Sequence, residues 1–356
     1  KEELDKYEEE YKAMFERQAP LANQPKTMLP TDPKNIWMEG IGLIGLGSNA
    51  KAASIAGDLV VQNARVRTIG EDAGGFRPIS EKDLFDCEYW SLEQAKLGKG
   101  APPKFQGKII MITGGSGTIG FAIAKAFSTL GAQTILVDKD EAALKKAVAK
   151  LGIGHAYFPI DVTKPDAANQ AMFAAIQNFG GLDILISNAG AAHAGPMLSI
   201  SDDELRNAFE LNFFSHYSFS KEAAKILKTQ NRGGQILFNI SKQAVNPGKN
   251  FGAYGLPKAT TFFLMRQLAL ELGSNGIRVN GVNADRIRSG LLTDDFISSR
   301  AKSRGVSESE YMAGNLLNKE VTAEHVADAF TSLACAESTT GHVMTVDGGN
   351  IEASLR

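Results

Sequence analysis

Residues 108–138 constrain this chain more than any other stretch, because they read as strand, glycine turn, helix, strand. Ile109-Ile110-Met111-Ile112 is a continuous apolar run, as expected of a strand buried on both faces of a parallel sheet. Thr113-Gly114-Gly115-Ser116-Gly117-Thr118-Ile119-Gly120 follows at once, and Phe121 to Leu130 carries helical periodicity up to Gly131. Gln133 to Val137 is the second strand, with Asp138 at its end. Glycines let backbone N–H groups approach a pyrophosphate, and the helix N-terminus adds unpaired donors and partial positive charge. An acid at the end of the second strand can accept hydrogen bonds from both ribose hydroxyls of an adenosine. Asp138 fills that place and would repel a 2′-phosphate, so NAD is expected over NADP, although the neighbouring Lys139 works against that preference.

A length of 356 residues suggests about two domains. A net charge of −2 gives no global attraction to nucleic acid or an anionic membrane. Cys87 and Cys335 form no metal or disulfide pattern, as in a reducing, cytoplasmic compartment. No apolar run reaches the ~18 residues of a membrane span. The chain opens on Lys1 rather than Met, as a piece of a longer protein would.

Residues 1–103 are expected to form an N-terminal extension of mixed helical and α/β character. Tyr7, Tyr11, Met14 and Phe15 share a helical spacing, and Ala19 to Pro33 reads as a linker. Gly40-Ile41-Gly42-Leu43-Ile44-Gly45 matches G-x-G-x-x-G, but no strand-ending acid follows it, so a strand–turn–helix of a small companion layer is the expectation. A Gly, Pro and Lys rich stretch at 98–107 marks the boundary. From residue 104 to 356 strands and helices alternate, which predicts a doubly wound parallel α/β sheet covered on both faces. Strands are expected at 155–160, 183–187, 235–240, 277–282 and 343–346, with one long helix over 201–228.

Several polar residues fall at the C-terminal ends of these strands, where open α/β sheets bind ligands. Among them are Asp161, Asn188 and Ser241. Tyr254 and Lys258 lie four apart, on one helix face, and Pro257 between them is expected in the first turn, where its missing N–H costs nothing. A nearby ammonium lowers a phenol pKa, which would let Tyr254 exchange a proton with an alcohol oxygen near neutral pH. Ser241 could bond the same oxygen.

Together these motifs make residues 105–350 resemble the short-chain dehydrogenase/reductase family, whose fold is a Rossmann sheet. The matching pieces are Thr113 to Gly120, Asp161-Val162, Asn188-Ala189-Gly190, Asn212, Ser241, Tyr254/Lys258, 276–280 and 346–349. The resemblance implies that Tyr254 is the acid/base, Lys258 holds the nicotinamide ribose, Ser241 orients the substrate oxygen and Asn212 supports a water relay. It further implies cofactor contacts from Gly114, Ser116, Gly117, Thr118, Ile119, Gly120, Asp138, Asp161, Val162, Asn188, Ala189, Gly190, Ile287 and Ser289. It also implies a homodimer or homotetramer. Thr118 replaces the usual glycine of the turn, Ala284-Asp285 replaces Pro-Gly, and a one-residue shift would put Lys242 in the place of Ser241.

Tyr89-Trp90, Ser241 to Gly248 and Asn283 to Arg288 narrow the resemblance to the dehydrogenase portion of bifunctional class II aldolase/short-chain dehydrogenases of the rhamnulose-1-phosphate aldolase type. An aldolase module would then be missing from this chain. The five histidines form no ligand cluster, so no metal is expected and each His reads as satisfied or exposed. The expected activity is NAD-linked alcohol/carbonyl oxidoreduction on a small polar molecule, with His193, Lys242, Gln243 and Asn246 near the substrate. A sugar-nucleotide epimerase or dehydratase and a non-catalytic NAD-binding scaffold are the rivals. Leu291 to Asn315 reads as a helical lid carrying Arg300, Lys302 and Arg304. Arg286 and Arg288 are expected either to bind an anion or to brace the loop against Asp285, Asp294 or Asp295.

Overall fold

The computed structural model describes residues 1–95, 97, 101–192, 194–290 and 292–350. Two compact units divide the chain, one over Lys1–Pro103 and a second from Lys104 onward.

In the first unit, helix α1 (Glu2–Gln18) turns Met14 into a small aromatic core with Phe85 and Tyr89. Strands β1 (Asn35–Met38) and β2 (Gly42–Gly45) pair antiparallel. Helix α2 (Ala50–Asp72) follows, then α3 (Glu81–Glu88) and the short α4 (Ser91–Gln94). The G-x-G-x-x-G stretch is therefore a hairpin rather than the expected strand–turn–helix. Gly40 and Gly42 take positive φ at the turn, and a Cβ on Gly45 would lie 2.4 Å from the backbone of α2. These glycines serve a tight turn and a close helix approach.

The second unit runs β3 (Ile109–Thr113), α5 (Thr118–Thr129), β4 (Gln133–Asp138), α6 (Glu141–Leu151), β5 (Ala156–Pro159), α7 (Ala167–Phe179) and β6 (Ile184–Ser187). It continues with α8 (Asp202–Phe209), α9 (Ser215–Gln230), β7 (Gly234–Asn239), α10 (Gly252–Leu272) and β8 (Ile277–Ala284). Helices α11 (Asp294–Arg304), α12 (Glu308–Met312) and α13 (Ala323–Cys335) precede the last strand, β9 (Val343–Val346). The seven strands from β3 on form one parallel sheet in the order β5-β4-β3-β6-β7-β8-β9. Side chains alternate between two cores: Met111, Ile135, Leu185 and Phe238 meet α7, α9 and α10, while Ile110, Ile112, Leu136 and Leu237 meet α5, α6 and α13. The order reverses between β3 and β6, and crevices for ligands open at such a switch point.

Two departures from expectation matter for the site. The long helix is interrupted by a π turn over Glu210–Phe214, where the Ser215 N–H reaches back to the Glu210 carbonyl. Pro257 does not lie in a first turn. Helix α10 starts at Gly252, so Pro257 stands in its second turn and cannot donate to the Ala253 carbonyl. Among the described residues no helix is long and apolar enough to cross a membrane.

Candidate active site

A cleft of ≈ 1050 Å³ lies over the C-terminal ends of the strands. At one end, Gly117, Thr118, Ile119 and Gly120 line it together with Gly114 and Asp138. Gly114 has φ +65, and a Cβ there would lie 3.0 Å from Asn188 Nδ2. A Cβ on Gly120 would fall 2.2 Å from the Gly114 carbonyl oxygen. Only glycine lets the turn pack so closely on the helix. Gly117 caps α5 with no side-chain hydrogen bond, so the first-turn donors stay available. Asp138 Oδ2 accepts from Ser116 Oγ at 2.7 Å, and Oδ1 accepts from the Lys139 amide at 2.8 Å. Ser116 thus orients the acid and does not itself line the cleft.

Asn188, Ala189 and Gly190 also line the cleft. Asn188 Nδ2 donates to the Thr113 carbonyl at 2.9 Å, and its Oδ1 accepts from Asn239 Nδ2 at 2.8 Å, tying β3, β6 and β7 together. Asp161 and Val162 are not among the lining residues. Asp161 Oδ1 accepts from the Thr163 amide and hydroxyl, and the amide bond is the main reason its pKa lies below the ordinary carboxylate value.

At the other end Tyr254 and Lys258 are 8% and 2% exposed. Ser241 caps a short turn by accepting from the Gln243 amide at 3.2 Å. Burial pushes the Tyr254 phenol up to about 12, with the Ser241 hydroxyl pulling it the other way. Burial brings the Lys258 amine down to about 7. The expectation of a phenol lowered by Lys258 is therefore not met by the protein alone. The Lys258 Nζ donates to the Asn239 carbonyl at 3.0 Å and lies 5.9 Å from the centre of the Tyr254 ring. Asn212 sits in the π turn, fully buried. Its Nδ2 donates to the Ala191 and Ala208 carbonyls, and its own carbonyl accepts from Thr261 Oγ1 at 2.7 Å. Gly190 leaves room for this cluster, since a Cβ there would meet Asn212 Oδ1 at 2.8 Å.

His216 belongs to the cluster too, which sequence reasoning passed over. Its Nε2 lies 3.5 Å from Lys258 Nζ, and its Nδ1 lies 2.6 Å from Ser187 Oγ. Burial, reinforced by the Lys258 charge, holds its pKa well below the ordinary imidazole value. The four-residue spacing from Asn212 was a usable signal, because it puts both on one helix face. Two other histidines serve the framework: His155 bonds Ser128 and Thr134, and His325 accepts from the Thr322 amide.

At this end the cleft is also lined by Lys242, Gln243, Asn246, Arg286, Ile287 and Ser289. Gln243 Oε1 accepts from the Gly248 amide at 2.7 Å and fixes the loop. Lys242 Nζ pairs with Asp285 at 2.7 Å. Arg286, at φ +48, pairs with Asp285 at 3.0 Å and donates to the Tyr311 and Gly314 carbonyls. Arg288 pairs with Asp294 at 2.8 Å and Glu320 at 2.7 Å and is not among the lining residues. Acids and carbonyls of the chain engage both arginines, as a bracing role would have them. His193 lies outside the described residues.

The profile of the family described as "Enoyl-(Acyl carrier protein) reductase" matches residues 115–350, and that of "Aldolase class II, second domain" matches residues 1–97. An uncharacterized oxidoreductase of Bacillus subtilis, YuxG, is 32% identical over 97% of this chain, which spans only 52% of that protein's length. (+)-Borneol dehydrogenase 1 of Salvia officinalis is 30% identical, with 69% of this chain aligned to 94% of that one. Among solved structures, a 3-ketoacyl-(acyl-carrier-protein) reductase from Brucella melitensis complexed with NADH superposes with a TM-score of 0.61 at 25% identity, covering 68% of this chain and 98% of its own. A short-chain type dehydrogenase/reductase from Mycobacterium ulcerans gives 0.64 at 29% identity, with coverages of 71% and 92%. With a parallel Rossmann sheet, the glycine turn and this breadth of likeness in hand, the chain belongs to the short-chain dehydrogenase/reductase family of oxidoreductases.

Proposed function

We propose that this chain is an NAD-dependent dehydrogenase that interconverts an alcohol and a carbonyl on a small polar molecule, such as a hydroxyaldehyde, polyol or sugar derivative. The observation that carries this reading is one cleft lined by both Asp138 and the Ser241, Tyr254 and Lys258 group. The residues fit a dinucleotide, because the turn packs close on the helix where a Cβ on Gly120 would meet the Gly114 carbonyl oxygen, and Asp138 beside it is held by Ser116. The amides of Thr118 and Ile119 would hold the pyrophosphate, with Gly117 lining it, Asp138 would hold the adenosine ribose and Lys258 the other ribose, with Ile287 and Ser289 near the nicotinamide amide. Bound there, NAD would supply hydride exchange and a positive charge.

The chain supplies the proton. Tyr254 Oη takes it from an alcohol or returns it to a carbonyl, and Ser241 Oγ orients the same substrate oxygen. A phenol held near 12 by burial needs added positive charge to ionise near neutral pH, so Tyr254 is set to act only in a loaded site. Asn212 fixes the backbone behind Lys258 through Ala191 and Ala208. Exposed Tyr217, Leu256, Phe263 and Leu270 on α9 and α10 support self-association into a dimer or tetramer. The match of residues 1–97 to a class II aldolase profile supports a place beside an aldolase module in a protein of carbohydrate metabolism.

The test is cofactor preference. The NAD-to-NADP ratio in kcat/KM is expected to exceed one and to fall in Asp138→Ala. An intact protein that turns over NADP better would refute the NAD assignment, and no NAD(P)-linked turnover of hydroxyaldehydes, polyols or sugar acids would favour a non-catalytic scaffold.

A further inference from the structure

Helix α11 holds a cation, Arg300, that no acid among the described residues neutralises. Leu292, Ile297, Ala301, Tyr311 and Met312 pack α11 and α12 into a small core of their own. On that support the Arg300 guanidinium lies 5.2 Å from the centre of the Phe251 ring and 5.6 Å from that of Phe296. The two rings meet edge to face at 5.9 Å and 83°. Arg300 lines the same cleft as Tyr254 and Ser241. Its Nε is buried with no hydrogen-bond partner. Among the described residues no carboxylate lies within 4.0 Å of Arg300, whereas Arg286 and Arg288 have theirs. Asp285, the acid that lines this end, is taken by Lys242, Arg286 and Asn350.

An arginine held over two aromatic faces keeps a fixed orientation, and its planar fork matches the paired oxygens of a carboxylate or phosphate. A buried unpaired donor is costly unless a ligand completes it. Resting on the dehydrogenase reading of this cleft, we propose that Arg300 binds an oxyanion, carboxylate or phosphate ester, on the substrate whose hydroxyl or carbonyl faces Tyr254. The substrate class is then an acidic hydroxy compound or a phosphorylated polyol rather than a neutral alcohol.

Three matched three-carbon alcohols test this: glycerol, glycerate and glycerol 3-phosphate. Each is titrated calorimetrically into the full chain saturated with NADH, in the wild type, Arg300→Gln and Arg300→Lys. At least one of the two anions is expected to bind saturably and glycerol not to. Arg300→Gln is expected to weaken that binding roughly 10- to 100-fold, the range of a charge-assisted pair. Arg300→Lys keeps a charge near the rings without the fork and should fall between them. NADH affinity, followed by its fluorescence, should be unchanged in both variants. Failure of both anions to bind, or binding equal in Arg300→Gln, overturns the proposal, as does NADH affinity falling in step with anion affinity. The dehydrogenase reading is judged separately, by NADH formation with the same three compounds and NAD. Anion binding without turnover would leave the Arg300 site standing and refute that reading.

Discussion

The two ends of the cleft are built by opposite means. The β3–α5 end is made of backbone: glycines without Cβ atoms, open helix donors and one acid set by a serine. The β7–β8 end is made of side chains that hold one another, with Lys242, Arg286 and Asn350 gathered on Asp285 and aromatic rings beneath Arg300. Backbone construction suits a ligand shared by a whole family, since it fixes phosphate geometry without committing to a substrate. Side-chain construction can change with each substrate while the sheet stays the same.

The sharpest test of this division is Tyr254→Phe. It keeps the ring's packing and removes the proton carrier, so turnover should fall by ~10² or more while NADH affinity is retained. Lost NADH binding in that variant would mean the two ends are not separable. Gly120→Ala attacks the other end. Its Cβ would sit 2.2 Å from the Gly114 carbonyl oxygen, so the turn must move. NADH affinity is expected to drop by roughly tenfold or more, on the scale of one lost charge-assisted contact. Unchanged affinity would show that the turn is not the phosphate cradle.

Lys258→Met probes the buried pair between the ends through pH. The amine falls from 10.5 to about 7 on folding, so between those values the unfolded chain holds the extra proton. Stability of the wild type should therefore rise with pH across that window, and the cost of burying the charge is fully present below it. Chemical denaturation of cofactor-free protein should show a slope between pH 7 and 10 that flattens in Lys258→Met. Equal slopes would mean that the ammonium is not desolvated as described. The smallest effect is expected from Arg288→Gln, which loses two largely exposed ion pairs. Thermal unfolding should register less than about 1 kcal/mol, with KM for NAD and substrate unchanged. A raised KM would return Arg288 to the substrate site.

Local pattern made the glycine end legible. Residues 109–120 carry apolar run, turn and helix start in succession, and Asp138 closes the next strand, so no distant partner had to be guessed. The sheet followed from the same alternation of strands and helices. What stayed hidden depended on contacts far apart in sequence. Arg288 meets Glu320 across 32 residues and His216 meets Ser187 across 29, so neither pairing has a spacing signature. The place of Pro257 is not legible in the sequence because the start of α10 at Gly252 has no polar N-cap signal; the residue before it is Phe251. The phenol's upward shift was misread because burial of both Tyr254 and Lys258 is a property of the packed site and outweighs their proximity.

The π turn at Glu210–Phe214 also limits how this chain can change length over evolutionary time. It holds one residue more than a regular helical turn would, and Asn212 sits inside it, with His216 just beyond. Because a π turn absorbs its extra residue locally, removing one of those five residues would allow an unbroken α-helix while leaving α8 and α9 close to their present faces. The change would fall on the bulge itself, where Asn212 Nδ2 reaches the Ala191 carbonyl and the Asn212 carbonyl accepts from the Thr261 hydroxyl. A single-codon deletion here should thus mend the helix and spare its packing, at the expense of the Asn212 bonds that the extra residue makes possible.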